Sequence, residues 1–297
     1  MKKILVTGAN GYIGSHVVPA LLDLGYEVIA TDLRGASPDP RATFAAADLF
    51  ADPDPYRTFG EPDGVVHLAW RDGFVHQSPA HIEDLPRHYA FLRAMIDAGV
   101  GSVSVMGSMH EIGFYEGRVD ETTPTDPASL YGIAKNALRQ ALTVYAASRP
   151  VALHWLRAYY ILGDDRRNHS IFSKILEKSD AGETSFPFTM GTNRYDFLPI
   201  DDLALEIALA SVQTGVNGVV NVCSGRPVAL KDAVERFLAE NGLAIRPQYG
   251  AFPDRPYDSR EIYGDPGKIR AILADAVKIY AGTPAAERIA RLSQRLG

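Results

Sequence analysis

Short, almost continuously apolar runs recur along the N-terminal part of the chain: KILVTG (3–8), YEVIATD (26–32), TFAAAD (43–48), GVVHLAW (64–70) and SVSVMGS (102–108). Between them the apolar positions return at helical spacing, as in HVVPALLDLG and HYAFLRAMIDAG, which end at Gly25 and Gly99, residues suited to a helix C-terminus. Strands that lack an alternating polar face are the kind buried on both sides by helices, so the pattern predicts βαβ units in a doubly wound parallel sheet, an α/β fold of the Rossmann type. A long helix is expected from DPASLYGIAKNALRQALTVYAASRP, opened by Asp126 and Pro127 and closed before Pro150. VALHWLRAYYILG (151–163) and GVVNVCSG (218–225) read as further strands.

Between and after those last strands the chain becomes polar and irregular. This predicts a dinucleotide-binding domain of residues 1–163 plus 196–225 and a smaller lobe of 164–195 plus 226–297 over one edge of the sheet. Composition adds exclusions rather than detail. The 297 residues are 46% hydrophobic and 22% charged, ordinary for a folded globular chain. A net charge of −6 gives no broad basic field, which argues against nucleic acid or an anionic membrane as partner. No run reaches the roughly 20 apolar residues of a membrane span. The one cysteine, Cys223, excludes an intrachain disulfide and suits a cytoplasmic location. No metal site is read from the sequence.

The glycines of VTGANGYIG, Gly8, Gly11 and Gly14, fall between a strand and a helix. There they permit a tight turn and bring backbone close to a pyrophosphate at a helix N-terminus. Asp32 closes the second strand where a carboxylate accepts hydrogen bonds from an adenosine ribose, which favours NAD. Arg34, two residues on, would pair with a 2′-phosphate, so NADP stays open. Asp48 and Leu49 are placed to flank the adenine, and Leu68, Ala69 and Trp70 to line the rest of the dinucleotide; His67 reads as strand packing.

Tyr131 and Lys135 stand at i and i+4 on one helical face, with Gly132, Ile133 and Ala134 between them. A phenol ordinarily titrates near about 10, and an adjacent ammonium is expected to lower it, making Tyr131 a usable acid or base. Ser108, at the end of the fifth strand, can bond the same substrate oxygen. The three together suit proton transfer at an oxygen whose carbon exchanges hydride with a nicotinamide.

On these motifs the chain resembles an extended short-chain dehydrogenase/reductase of the NAD-dependent nucleotide-sugar epimerase/dehydratase group. Further likeness comes from SMHEIG (108–113), YGIAK, LRAYYILG, YDFLPIDDLA and RPYDSREIYGDPGK. The resemblance implies Ser108, Tyr131 and Lys135 as catalytic residues. To the cofactor side it adds Tyr12, Ile13, Lys135 and Tyr159. To the substrate side it adds Met109, Tyr160, Arg194 and Arg255 beside Ser108 and Tyr131. Three positions depart or shift: Tyr160 stands where relatives carry asparagine, Tyr195 where they carry a phosphate-binding arginine, and Arg194 one residue away. Glu111 is one residue late for the acid of a dehydratase.

The branch implied is the NAD(P)-dependent reductase or dehydrogenase acting at C4 of a nucleotide-activated 4-keto-6-deoxy hexose of the dTDP type. A UDP-glucose-type 4-epimerase is the alternative, and a non-catalytic dinucleotide sensor is the reading from another class. The resemblance also implies a homodimer through a four-helix interface formed by helices at 84–98 and 127–149.

Overall fold

The computed structural model describes residues 2–163, 166, 168, 170–253 and 258–296. Among these, the apolar runs form a seven-stranded sheet of β1 (Lys3–Thr7), β2 (Glu27–Asp32), β3 (Thr43–Ala46), β4 (Gly64–His67), β5 (Ser102–Ser108), β7 (Ala152–Ala158) and β11 (Gly218–Val222). The spatial order is β11-β7-β5-β4-β1-β2-β3, and every pairing is parallel. The chain therefore winds outward in both directions from β1. The switch point lies between β1 and β4, where an open α/β sheet takes its ligand at the carboxyl ends of the strands.

Strand periodicity distributes the core. Ile4, Val6, Val28, Ala30, Val66, Leu156 and Ala158 face one side and pack with α1 (Gly14–Asp23), α6 (Ile200–Ser211), α8 (Gly267–Ile279) and α9 (Ala286–Leu296). Leu5, Ile29, Val65, Val103, Val105, Leu153 and Trp155 face the other, against α3 (Ala80–Asp97) and α4 (Leu130–Ala146), with the short α2 (Pro55–Thr58) at the rim. The anticipated division assigned 226–297 to the smaller lobe; α8 and α9 instead complete the core of the large sheet, because Ile269, Leu273, Ile289 and Leu292 are buried there.

After Ala158 the chain leaves the large sheet. β8 (Tyr160–Leu162) pairs with β10 (Arg194–Pro199) in a second sheet that also holds β6 (Gly117–Val119), β12 (Pro227–Ala229) and β14 (Glu261–Gly264). The expected continuous strand of 151–163 is thus two strands in two sheets. This sheet, with α5 (Ile171–Asp180), α7 (Leu230–Glu240) and the small pair β9 (Ser185–Pro187) and β13 (Arg246–Gln248), encloses an aromatic core of Tyr159, Phe172, Phe186, Phe188, Tyr195 and Phe197. Asp196 fastens the sheets together. Its buried carboxylate accepts from the backbone N–H groups of Ser224, Gly225 and Gly264 and from the Ser224 hydroxyl, which offsets the cost of burying it.

Two helices begin elsewhere than anticipated. α4 opens at Leu130, not at Asp126, because Ser129 supplies the cap: its hydroxyl accepts from the Gly132 N–H at 3.1 Å. α3 opens at Ala80, upstream of the apolar pattern that marked it. Its buried face there carries His81, Asp84 and His88, so hydrophobic periodicity does not announce it.

Candidate active site

The cofactor side is built from backbone. Gly8 has φ +68, and a Cβ on it would sit 2.6 Å from the Ala69 N; a Cβ on Gly14 would meet the Gly8 O at 2.2 Å. Side chains are excluded where β1 turns into α1, leaving the helix N-terminus to face an anion. Asp32 reaches across from β2, its Oδ2 accepting from the Asn10 N–H at 3.0 Å and its Oδ1 from the Leu33 N–H. Beside them is a cleft of about 800 Å³ lined by Asn10, Ser15, His16, Arg34, Gly35, Ala36 and Pro38. A glycine cradle, a helix N-terminus and an acid at the ribose position are the set a dinucleotide requires, so the residues fit NAD.

The other residues read from the sequence lie around this edge with varied employment. Tyr12 donates its hydroxyl hydrogen to the Gly163 carbonyl, and Ile13 precedes the first turn of α1. Asp48 pairs loosely with Arg87 at 3.9 Å, and Leu49 is buried. The Leu68 and Ala69 N–H groups bond Thr7. His67 is buried, bridging the Thr7 hydroxyl (2.8 Å) and the His88 Nδ1 (2.9 Å). Tyr159 is buried in the second core, with its hydroxyl donating to Asn221 at 3.3 Å.

Ser108, Tyr131 and Lys135 come together where β5 ends beneath α4. The Tyr131 ring is walled by the rings of His81 (5.2 Å between centroids), His76 (5.5 Å), His110 (5.9 Å) and Trp70 (6.2 Å). Trp70 Nε1 donates to His81 Nδ1 at 3.0 Å, which leaves the hydrogen of that imidazole on Nε2, donating to the Val75 carbonyl. Burial among these rings pushes the Tyr131 phenol up to about 12; a hydrogen bond with Ser108 opposes the rise and the Glu111 charge adds to it.

This corrects the expectation that Lys135 lowers it. The Lys135 ammonium is engaged elsewhere: it donates to the Met106 carbonyl at 2.7 Å and lies 3.7 Å from the Trp70 ring centroid, against 5.8 Å from that of Tyr131. Burial pulls Lys135 down to about 7, against the raising effect of Glu111.

On the substrate side, Met109 is partly buried at the second core. Tyr160 stacks on Tyr195 with centroids 4.3 Å apart, an aromatic pair where the resemblance anticipates an asparagine and an arginine, and the Tyr195 hydroxyl accepts from Asn193. Arg194 is engaged by Glu261 at 3.3 Å and by the Pro227 carbonyl. Arg255 lies outside the described residues.

Sequence reading weighed Glu111 only as a misplaced dehydratase acid and overlooked the other residues that support this cluster: Arg139, Trp155, Arg157 and the imidazoles of His76, His81, His88 and His110. One signal was present. Ser108 and Glu111 are spaced as S-x-x-E, the capping box, and here the Ser108 hydroxyl accepts from the turn while the Glu111 carboxylate accepts from the Ser108 N–H. The histidines carry no such mark, being scattered between residues 76 and 110 and gathered only by folding.

Comparison with known proteins identifies the family and matches the fold. The family model for the NAD dependent epimerase/dehydratase family matches residues 4–223. The chain is 44% identical over 267 residues to dTDP-6-deoxy-L-talose 4-dehydrogenase (NAD(+)) of Aggregatibacter actinomycetemcomitans, covering 88% of this chain and 98% of that one. It is 28% identical to UDP-glucose 4-epimerase of Corynebacterium glutamicum, covering 82% of each. Among solved structures, the Thermus thermophilus UDP-glucose 4-epimerase complex with NAD superposes with a TM-score of 0.73 at 25% identity, covering 91% of this chain and 92% of that one.

Proposed function

The chain belongs to the NAD dependent epimerase/dehydratase family, and from that premise we propose that it exchanges hydride between NAD and C4 of a dTDP-activated 6-deoxy hexose. The observation that carries this reading is Tyr131 standing next to Ser108 at the carboxyl end of β5, in a family whose 44% identical member is a C4 dehydrogenase of such a sugar. Bound NAD supplies the hydride acceptor or donor.

Tyr131 holds its proton at neutral pH, the state needed to protonate an oxygen forming at C4; in the oxidative direction the C4 hydroxyl gives its proton to the Tyr131 phenolate, a form that rising pH populates. Ser108 orients the oxygen from the other side. The surrounding rings leave Tyr131 half-buried. Lys135, between the Met106 carbonyl and the Trp70 face, is assigned in this reading to the ribose hydroxyls of the cofactor. Gly8, Gly11 and Gly14 accommodate the pyrophosphate and Asp32 the adenosine ribose. Tyr160 and Tyr195 suggest that the sugar diphosphate is held differently from relatives with Asn and Arg.

A homodimer also fits the chain: α3 and α4 expose Ile82, Ile133 and Val144. Among the described residues no helix is long and apolar enough to cross a membrane, and the single cysteine suits the cytoplasm.

The test is turnover of dTDP-6-deoxy-L-talose with NAD, read as reduced-nicotinamide absorbance together with the 4-keto product. Inversion of UDP-glucose at C4 without added NAD would establish the epimerase instead. Cofactor binding with no turnover of either sugar would establish a sensor.

A further inference from the structure

The turn carrying Ser108 and the helix carrying Tyr131 and Lys135 meet over one carboxylate. Glu111 is 0% exposed. Its Oε1 accepts from the Ser108 N–H at 2.6 Å and from Trp155 Nε1 at 2.8 Å; its Oε2 lies 3.4 Å from Arg157 Nη2 and 3.7 Å from Arg139 Nε. Three of these groups donate hydrogen bonds and Arg139 makes an ion pair; they come from β5, β7 and α4. Arg139 stands one turn beyond Lys135 and two beyond Tyr131 on the same face of α4.

The surroundings leave no slack. A Cβ on Gly107 would lie 2.2 Å from Trp155 Nε1 and 2.7 Å from the Glu111 Oε1, and a Cβ on Gly132 would lie 2.3 Å from the His110 carbonyl oxygen. Glycine at both places lets the strand end, the turn and the helix close on the carboxylate.

We infer that Glu111 is a positioning residue for the proposed reaction: it fixes Ser108 against Tyr131 by bonding the Ser108 backbone and tying it to α4 through Arg139. This rests on the function proposed above. Glu111 does not reach the reacting oxygen. Its charge has a second effect, since it supports the ammonium form of Lys135 from the turn. The other groups facing Lys135 are the neutral imidazoles of His67 on β4 and His88 on α3, the Trp70 face and Tyr131; among them Glu111 supplies the negative charge that favours the ammonium.

Two variants of the full chain test the inference. Glu111→Gln keeps the shape and one carbonyl acceptor but removes the charge, while Glu111→Asp keeps the charge facing Arg139 and Arg157 and withdraws it from Ser108 by one methylene. In both, kcat for the dTDP-activated sugar is expected to fall about tenfold to a hundredfold, with KM and NAD affinity within about threefold of wild type, as for misplacement of a reacting group.

The second readout is the titration of Lys135, followed by the shift of its ¹³C-labelled ε carbon and assigned by its loss in Lys135→Met. Its midpoint near 7 in wild type drops to lower pH in Glu111→Gln, because a removed negative charge no longer favours the ammonium; in Glu111→Asp it stays close to wild type. A kcat within about twofold of wild type in Glu111→Asp, or an unmoved Lys135 midpoint in Glu111→Gln, overturns the inference. The titration requires no sugar. A wild type inert toward dTDP-activated sugars would therefore refute the function while the Lys135 shift still reports on Glu111.

Discussion

The glycine turn of β1–α1 and the cluster around Tyr131 occupy the same edge of one sheet and are built on opposite principles. The turn is made of backbone whose side chains have been removed: Gly8 and Gly14 are specified by clashes within 3 Å. The cluster is made of large polar side chains drawn from β4, the turn after β5, β7, α3 and α4 and buried together, with Lys135, Glu111, Arg157, His67 and His88 all inside. Recognising a pyrophosphate needs close approach of N–H dipoles, which only the absence of a Cβ permits. Moving a proton needs groups whose ionisation is set by burial and by one another, which only a crowded interior supplies.

That contrast is open to attack at four points. The largest effect belongs to Tyr131→Phe: kcat is expected to fall by about a thousandfold on removal of the proton donor, while NAD affinity measured by calorimetry stays unchanged. Activity retained in this variant would remove Tyr131 from the chemistry.

Next is Lys135. Its ammonium persists below about pH 7 and is lost above it, since burial lowers its pKa. If the ammonium is the form that engages the cofactor, kcat/KM for NAD declines as pH rises through about 7. Lys135→Met should lose about a hundredfold in that parameter and lose the decline with it. A wild-type profile flat from neutral to alkaline pH would contradict this role.

Gly14→Ala brings a Cβ to 2.2 Å from the Gly8 carbonyl oxygen. NAD affinity should weaken by at least about tenfold as the turn distorts, with the Lys135 titration unaffected, since the two regions share no side chain. A shift at Lys135 would show the halves to be coupled. The smallest effect is Ser129→Ala, which removes the cap of α4 and should reduce stability by about 1 kcal/mol in denaturant titration. A loss of kcat much larger than that of stability would mean that the cap also sets the Tyr131 register.

The legibility of the two regions differs for the same reason. Gly8, Gly11, Gly14 and Asp32 follow from local rules about turns and strand ends, as does the parallel sheet from its apolar runs. The spacing of Tyr131 and Lys135 shows that both occupy one helical face, but where the ammonium points is decided by Trp70 and Met106, which belong to other elements. An interaction assumed from i, i+4 neighbours was outcompeted by a buried carbonyl and an aromatic face. The start of α3 was obscured because its inward face is polar, with His81, Asp84 and His88 bonded or packed inside rather than marked by apolar spacing.

By itself the chain determined its layers, its glycine cradle, the acid at the end of β2 and the helical register of Tyr131 and Lys135, because period, turn chemistry and capping act over a few residues. Only the tertiary structure decided that the phenol is raised rather than lowered, that α8 and α9 close the large core, that the chain changes sheets after Ala158, and that Glu111 stands beneath Ser108. Burial and long-range pairing set ionisation and side-chain direction, and neither is a property of neighbouring residues in sequence.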